Sequence, residues 1–202
     1  FIDAMDGTTY GIEDPRLPFM TDTTKFGDYR GTPNGKGRSG SGVSFEECYI
    51  NLTGYYSSPN SPLYIITYEE LKFIEAEARL RDNDNIGAYA AYLEAIRANM
   101  DKIGVAPADR DDYIDDASVS VGEDNLTLDH IFKEKYKALF LSPETWNDAR
   151  RYDYQYKDFD LPMNAVTNDF IRRLVYPSVE TSRNGANVPE VSGVLQRLWW
   201  DQ

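Results

Sequence analysis

TYEELKFIEAEARLRDNDNIGAYAAYLEAIRANMDKIG, residues 67–104, is the stretch that decides the fold. Thr67-Tyr68-Glu69-Glu70 has the form of a capping box: a hydroxyl at the N-cap and a carboxylate three residues on, each able to satisfy a free backbone N–H. A helix is predicted from there to about Arg81, with Leu71, Ile74 and Ala78 on one face. A second helix follows Asn83-Asp84-Asn85. Its apolar residues Ile86, Ala90, Leu93, Ile96, Met100 and Ile103 recur at steps of three and four, which is a helical stripe. Gly104 ends it, and Pro107 prevents its return. So short a joint predicts an antiparallel hairpin. The small residues Ala76, Ala78, Ala88, Ala90, Ala91 and Ala95 allow close approach. The pair has the form of one tetratricopeptide unit, with no second copy at that period.

Working outward, residues 105–126 read as acidic and irregular, with Asp109, Asp111, Asp112, Asp115 and Asp116. A third helix is predicted from Thr127 to about Leu141, burying Leu128, Ile131, Phe132 and Leu139. Ser142-Pro143 restarts the helix, Ser as N-cap and Pro at the first position, and this fourth helix carries Trp146 and ends near Arg151. Residues 152–202 read as irregular, with a short helix at 168–174. Residues 1–62 are punctuated by Asp14-Pro15, Leu17-Pro18, Gly31 to Gly35, Gly37, Gly40 and Gly42, with aromatics such as Tyr10, Tyr29 and Phe45 among them. A long loop region of that kind is more often functional than accidental. The expected fold class is therefore mostly α: tetratricopeptide-like hairpins with long irregular loops and little or no strand. It forms a single partial domain, with a loop-rich segment 1–62, a helical core 63–151 and an irregular C-terminal wrap 152–202.

Composition excludes several functions. A net charge of −13 repels phosphate backbones and argues against nucleic acid as a partner. No apolar run approaches the roughly 18 residues that span a bilayer. Cys48 is the only cysteine, so no internal disulfide can form. Tyrosine is abundant at 15, and its flat ring with a polar tip suits contact with polar ring-shaped ligands, although core packing is the commoner use of any one of them.

Most chemical motifs fail on inspection. Gly35-Lys36-Gly37-Arg38-Ser39-Gly40 matches G-x-G-x-x-G but opens no helix. Asp82-Asn83-Asp84-Asn85-Ile86-Gly87 starts like a calcium loop, but Leu93 stands where the bidentate Glu belongs. The Asp109 to Asp116 run reads as a solvated acidic loop rather than a calcium site. His130, the only histidine, cannot build a zinc cluster alone and reads as structural. The 34 acidic residues offer many carboxylate pairs for glycoside hydrolysis, and no spacing singles one out. Arg150-Arg151 reads as a dipole-compensating helix end, pairing with Glu144 or Asp148. No cofactor or metal is called for.

Several stretches in order resemble one family. Ile66 to Ala78 looks like the helix with an "AEA" signature in SusD/RagB-type outer-membrane nutrient-binding lipoproteins. Lys133 to Leu141, followed by Glu144-Thr145-Trp146-Asn147-Asp148-Ala149-Arg150-Arg151, resembles that family's paired helices ending in E-x-W-x-(D/E)-x-R-R. Arg173-Leu174-Val175-Tyr176-Pro177-Ser178-Val179-Glu180 with Asn184 resembles its late segment, and Leu198-Trp199-Trp200-Asp201 its close. Asp14 to Pro18 and Tyr29 to Gly35 look like a middle region of one branch. The resemblance implies a C-terminal part of a longer protein, with the lipidated cysteine and earlier helices lying outside this chain. It also implies non-catalytic capture of a nutrient, usually a glycan, at the outer cell surface, and delivery to a SusC-like TonB-dependent transporter.

The matched motifs carry no binding residues. From the loop-rich segment we select Tyr29, Asn34, Tyr55 and Tyr56 as ligand-binding candidates, rings for sugar faces and an amide for hydroxyls. The alternative function is a helical scaffold that binds only protein partners.

Overall fold

Thr67 and Asp84 start the two helices at the centre of the computed structural model, which describes residues 1–37 and 46–201. The rejected glycine motif leaves the described residues at Arg38, and Gly40, Gly42 and Phe45 lie outside them too. In chain order the helices are α1 (Ile2–Met5), α2 (Leu17–Met20), α3 (Tyr68–Arg81), α4 (Asn85–Ile103), α5 (Pro107–Asp115), α6 (Leu128–Ala138), α7 (Glu144–Arg151) and α8 (Ser178–Arg183), followed by a 3-10 turn at Gly185–Asn187. Pairing among the described residues is limited to isolated bridges, Asp6 with Glu13 and Thr21 with Ile50. The mostly-α expectation holds. No described helix is long and apolar enough to cross a membrane.

The hairpin forms as predicted. Thr67 Oγ1 accepts from Glu70 N, Asp84 Oδ1 accepts from Gly87 N, and Gly104 takes a left-handed φ of 89° to end α4. Its buried faces differ from those expected. On α3 the buried stripe is Glu69, Phe73, Ala76 and Glu77, while Leu71 and Ile74 face outward. The reason is electrostatic: Lys102 pairs with Glu69, and Arg81 and Arg151 pair with Glu77, so carboxylates can occupy the inner face. On α4 the alanine side wins. Ala88, Ala91, Tyr92, Ala95 and Ile96 are buried, while Ile86 and Ala90 are exposed. Three alanines at that spacing let α3 approach closely, and Phe73 and Tyr92 then fill the seam. Each such fully buried side chain stabilises the fold by about 1.5–3 kcal/mol.

Three further expectations are corrected. Residues 105–126 are not all irregular: Pro107 stands at the first turn of α5, where its missing N–H costs nothing, so beyond the Gly104 stop it starts a helix. Helix α5 buries Tyr113 and Ile114 against α4. No helix forms at 168–174. There the backbone N–H groups of Arg172 and Arg173 both donate to Val194 O, and the Arg172 side chain reaches Arg150 O and Asp201. Helix α6 also ends earlier than predicted, at Ala138, and α8 forms after Pro177 instead.

A buried ion network ties the loop segment to the helices. Arg16 donates to Asp14 at 2.6 and 2.8 Å, to Glu134 of α6 at 2.6 Å and to Asn99 of α4 at 3.2 Å. Tyr113 of α5 donates to Glu134 at 2.9 Å, and Lys137 donates to Tyr113 at 2.7 Å while lying 3.2 Å from both carboxylates. The four charged side chains are all 0% exposed. Burial alone would raise the Glu134 carboxyl, but Lys137, Arg16 and Lys133 more than reverse that and hold it well below the usual carboxylate range.

Candidate functional site

The aromatic residues after α7 organise the surface. Tyr152, Tyr154 and Tyr156 alternate along a short irregular run and are all buried. Tyr152 stacks on Phe132 at 4.4 Å, and Tyr154 on Phe170 at 4.4 Å. Tyr156 meets Tyr136 of α6 at 5.1 Å and Phe159 at 5.6 Å. These contacts place residues 155–161 between two cavities.

One cavity, of about 630 Å³, lies between α1, the loop at 31–34, α6 and residues 158–163. That size suits a small oligosaccharide, since ligand pockets run to roughly 300–1,000 Å³. Phe1, Tyr136 and Phe159 supply half-buried rings, with Phe1 and Tyr136 edge to face at 5.7 Å. Asp3, Asp158 and Asp160 line the same space; the N-terminal ammonium of Phe1 acts on Asp3, while no described cation pairs with Asp158 or Asp160. The oxygens of those two can accept from hydroxyls. Burial raises the Tyr136 phenol above its ordinary value, so it stays a neutral O–H group.

The rim is held by a clip. Asn34 Nδ2 donates to Asp160 O at 3.4 Å, and Met163 N donates to Asn34 O at 3.2 Å. Gly35 has φ of 75°, and a Cβ there would lie 2.8 Å from Met163 N and from Pro162 Cβ. Only glycine combines that dihedral with that approach.

The four predicted ligand residues are not gathered into one place. Asn34 is on the rim just described. Tyr29 is half-buried against Ile2, Met5, Leu17 and Met20. Tyr55 and Tyr56 lie edge to face at 5.1 Å beside a second, narrower cavity of about 170 Å³. There Tyr55 shares a hydrogen bond with Tyr64, Tyr56 packs on Phe140 at 5.3 Å, and the Lys102 ammonium lies 5.0 Å from the Tyr64 ring. Tyr136, Phe159, Asp158 and Asp160 were missed by sequence reasoning. A signal was present: the alternation of tyrosines from Tyr152 to Tyr156, ending in Phe159, inside a stretch read only as irregular.

The Glu144 to Arg151 segment is tied to α3 by ion pairs, and Glu144, Asn147, Asp148 and Arg151 also line a cavity of about 790 Å³ against that helix. Arg151 pairs with Asp148 at 2.9 Å and with Glu77 of α3 at 2.8 Å. Arg150 pairs with neither Glu144 nor Asp148; its guanidinium is held between Trp146 and Trp200, 3.8 and 4.6 Å from the two rings. His130 acts in the capping box at the start of α6.

Compared with known families, the chain matches over residues 1–177 a model described as SusD-like, starch-binding associating with outer membrane. No curated protein sequence matches it.

Proposed function

This chain belongs to the SusD-like family, whose membership implies carbohydrate binding at the outer membrane, and from that premise we propose that it captures a neutral oligosaccharide in the cleft between Phe1, Tyr136 and Phe159. The observation that carries the reading is the composition of that cleft: three rings for the apolar faces of sugars, three carboxylates for the hydroxyls, of which Asp158 and Asp160 pair with no described cation, and the Asn34 amide on the rim. The role is non-catalytic. The captured glycan passes to a SusC-like TonB-dependent transporter, and the protein faces outward, anchored by lipid through a part lying outside this chain.

A scaffold that binds only protein is the second reading. It draws on the exposed apolar run Leu63 to Ile66, where Leu63 is 95% and Ile65 89% exposed, surface of a kind that meets protein partners. The same run suits contact with the transporter, so it supports both readings.

Calorimetric titration with linear neutral oligosaccharides of the glucan type tests the proposal. The chain should bind, and Phe159→Ala should weaken binding about tenfold, the equivalent of about 1.4 kcal/mol for a lost ring contact. Asp160→Ala, on an exposed side chain, should weaken it without changing the melting temperature. If no neutral oligosaccharide binds, or both variants bind as the parent does, the scaffold reading takes its place.

A further inference from the structure

The other side of the 155–161 wall has the opposite electrostatic character. A cavity of about 510 Å³ lies there between Tyr10, the start of α6 and residues 152–157. Lys157 Nζ donates to Thr9 O at 2.5 Å and lies 5.9 Å from the Tyr10 ring. No described carboxylate pairs with it, and an ammonium has three donors, so two remain for a ligand. Lys133 Nζ donates to Ser118 O at 3.2 Å. Its nearest carboxylate, Glu134 at 3.6 Å, is already engaged by Arg16 and Lys137.

His130 adds a directed donor. Its Nδ1 accepts from Thr127 N at 3.2 Å, so the neutral ring carries its proton on Nε2. Burial, then the charge of Lys133, lowers its pKa and keeps the ring neutral. The one carboxylate of the lining, Asp129, accepts from the Tyr152 hydroxyl and pairs with neither lysine. In a chain of net charge −13, two ammonium groups and the His130 ring thus line one cavity with a single carboxylate, whose Oδ1 is taken by the Tyr152 hydroxyl, so cationic charge predominates. Such a lining favours an anion. The Gln155 amide and the Tyr10 hydroxyl, kept protonated by burial with a pKa pushed up to about 12, are suited to sugar hydroxyls.

We propose that this cavity is a second carbohydrate subsite, which takes the carboxylate of an acidic sugar, a hexuronate, on Lys157, Lys133 and His130. It deepens the glycan-capture reading and rests on it. Tyr156 lines this cavity and packs on Tyr136 and Phe159 of the first, so one ligand with neutral and acidic units could touch both sides of the wall.

The test is a calorimetric titration of the chain with a glucuronate-terminated disaccharide, its glucose-terminated counterpart and sodium sulfate. The acidic disaccharide should bind at least fivefold tighter than the neutral one, and more weakly as ionic strength rises. Lys157→Met, on an exposed side chain, should abolish that preference while neutral oligosaccharide still binds as in the parent; Lys133→Met is the second variant. Equal affinity for the two disaccharides, or a preference that survives both lysine substitutions, overturns the proposal. So does sulfate that competes as well as the sugar, which marks a general anion site. Neutral binding with no acidic preference removes only this subsite; absence of any sugar binding removes the capture reading with it.

Discussion

Replacing Glu134 by glutamine tests whether buried charge, and not only apolar packing, holds the loop segment on the helices. Asp14 and Glu134 balance Arg16 and Lys137, and all four side chains are sealed from water. Glu134→Gln keeps the volume and removes one charge, leaving two cations against one carboxylate. Donors from Arg16 at 2.6 Å, Tyr113 at 2.9 Å and Lys137 at 3.2 Å then converge on a neutral amide. Breaking a buried pair from one side costs about 3–5 kcal/mol. For a chain of 202 residues that corresponds to roughly 6–20 °C in melting temperature, at about 2–4 °C per kcal/mol. Urea unfolding followed by far-UV circular dichroism is the suitable assay, because urea does not screen charge. Glu123→Gln, on an exposed side chain, is the control and should stay within about 0.5 kcal/mol. Acid supplies a second readout. Both carboxyls are held below their ordinary values, so their contribution is complete above the unfolded values near 4 and is lost as pH falls through the lower folded ones. The variant should show a shallower acid limb. A loss below about 1 kcal/mol with an unchanged acid limb would refute the reasoning, leaving apolar contacts as the holding force.

Two other predictions concern the cap and the clip. The folded pKa of His130 is depressed, so its contribution is present above the ordinary value of about 6.5 and is lost as pH falls through the lower folded one; His130→Gln keeps an acceptor at the same helix position and should remove the slope below about pH 6.5 in a plot of melting temperature against pH. A slope that persists in the variant would assign it to carboxylates. Gly35→Ala and Gly37→Ala both place a Cβ at positive φ, costing about 1–2 kcal/mol each, but only the first meets backbone at 2.8 Å. Gly35→Ala should therefore lose about 1 kcal/mol more in urea unfolding and weaken neutral oligosaccharide binding; equal losses would show that the clip does not shape the cleft.

The helical frame was legible because its signals are local. Thr67 with Glu70, Asp84 with Gly87, and Gly104 are each decided within four residues. Which face of each helix turns inward was not legible from apolar type alone. Glu69 and Glu77 lie inside because Lys102 and Arg151 arrive from 33 and 74 residues away. Pro107 illustrates an ambiguity of a different kind: it reads as a barrier after the Gly104 stop, and it is the first residue of the next helix. The candidate site was the least legible part. Asn34 was chosen from the loop texture and does line the cleft, whereas Tyr136 sits in a helix whose resemblance to a family motif drew attention to its structural role. Its partners Asp158 and Phe159 lie in a run where neither helical nor strand periodicity applies, so only the spacing of rings marked it.

The clip between Asn34 and Asp160 joins residues 126 positions apart in the chain. A polypeptide emerging N-terminus first, from a ribosome or across a membrane, carries one jaw of the proposed sugar cleft long before it carries the other. Until residues 158–163 have emerged and docked, Phe1 and the 31–34 loop have only α6 beside them, and the cleft lacks its second wall. On the proposed reading, a product truncated ahead of that segment would lack one wall of the cleft and with it the capacity to hold the sugar.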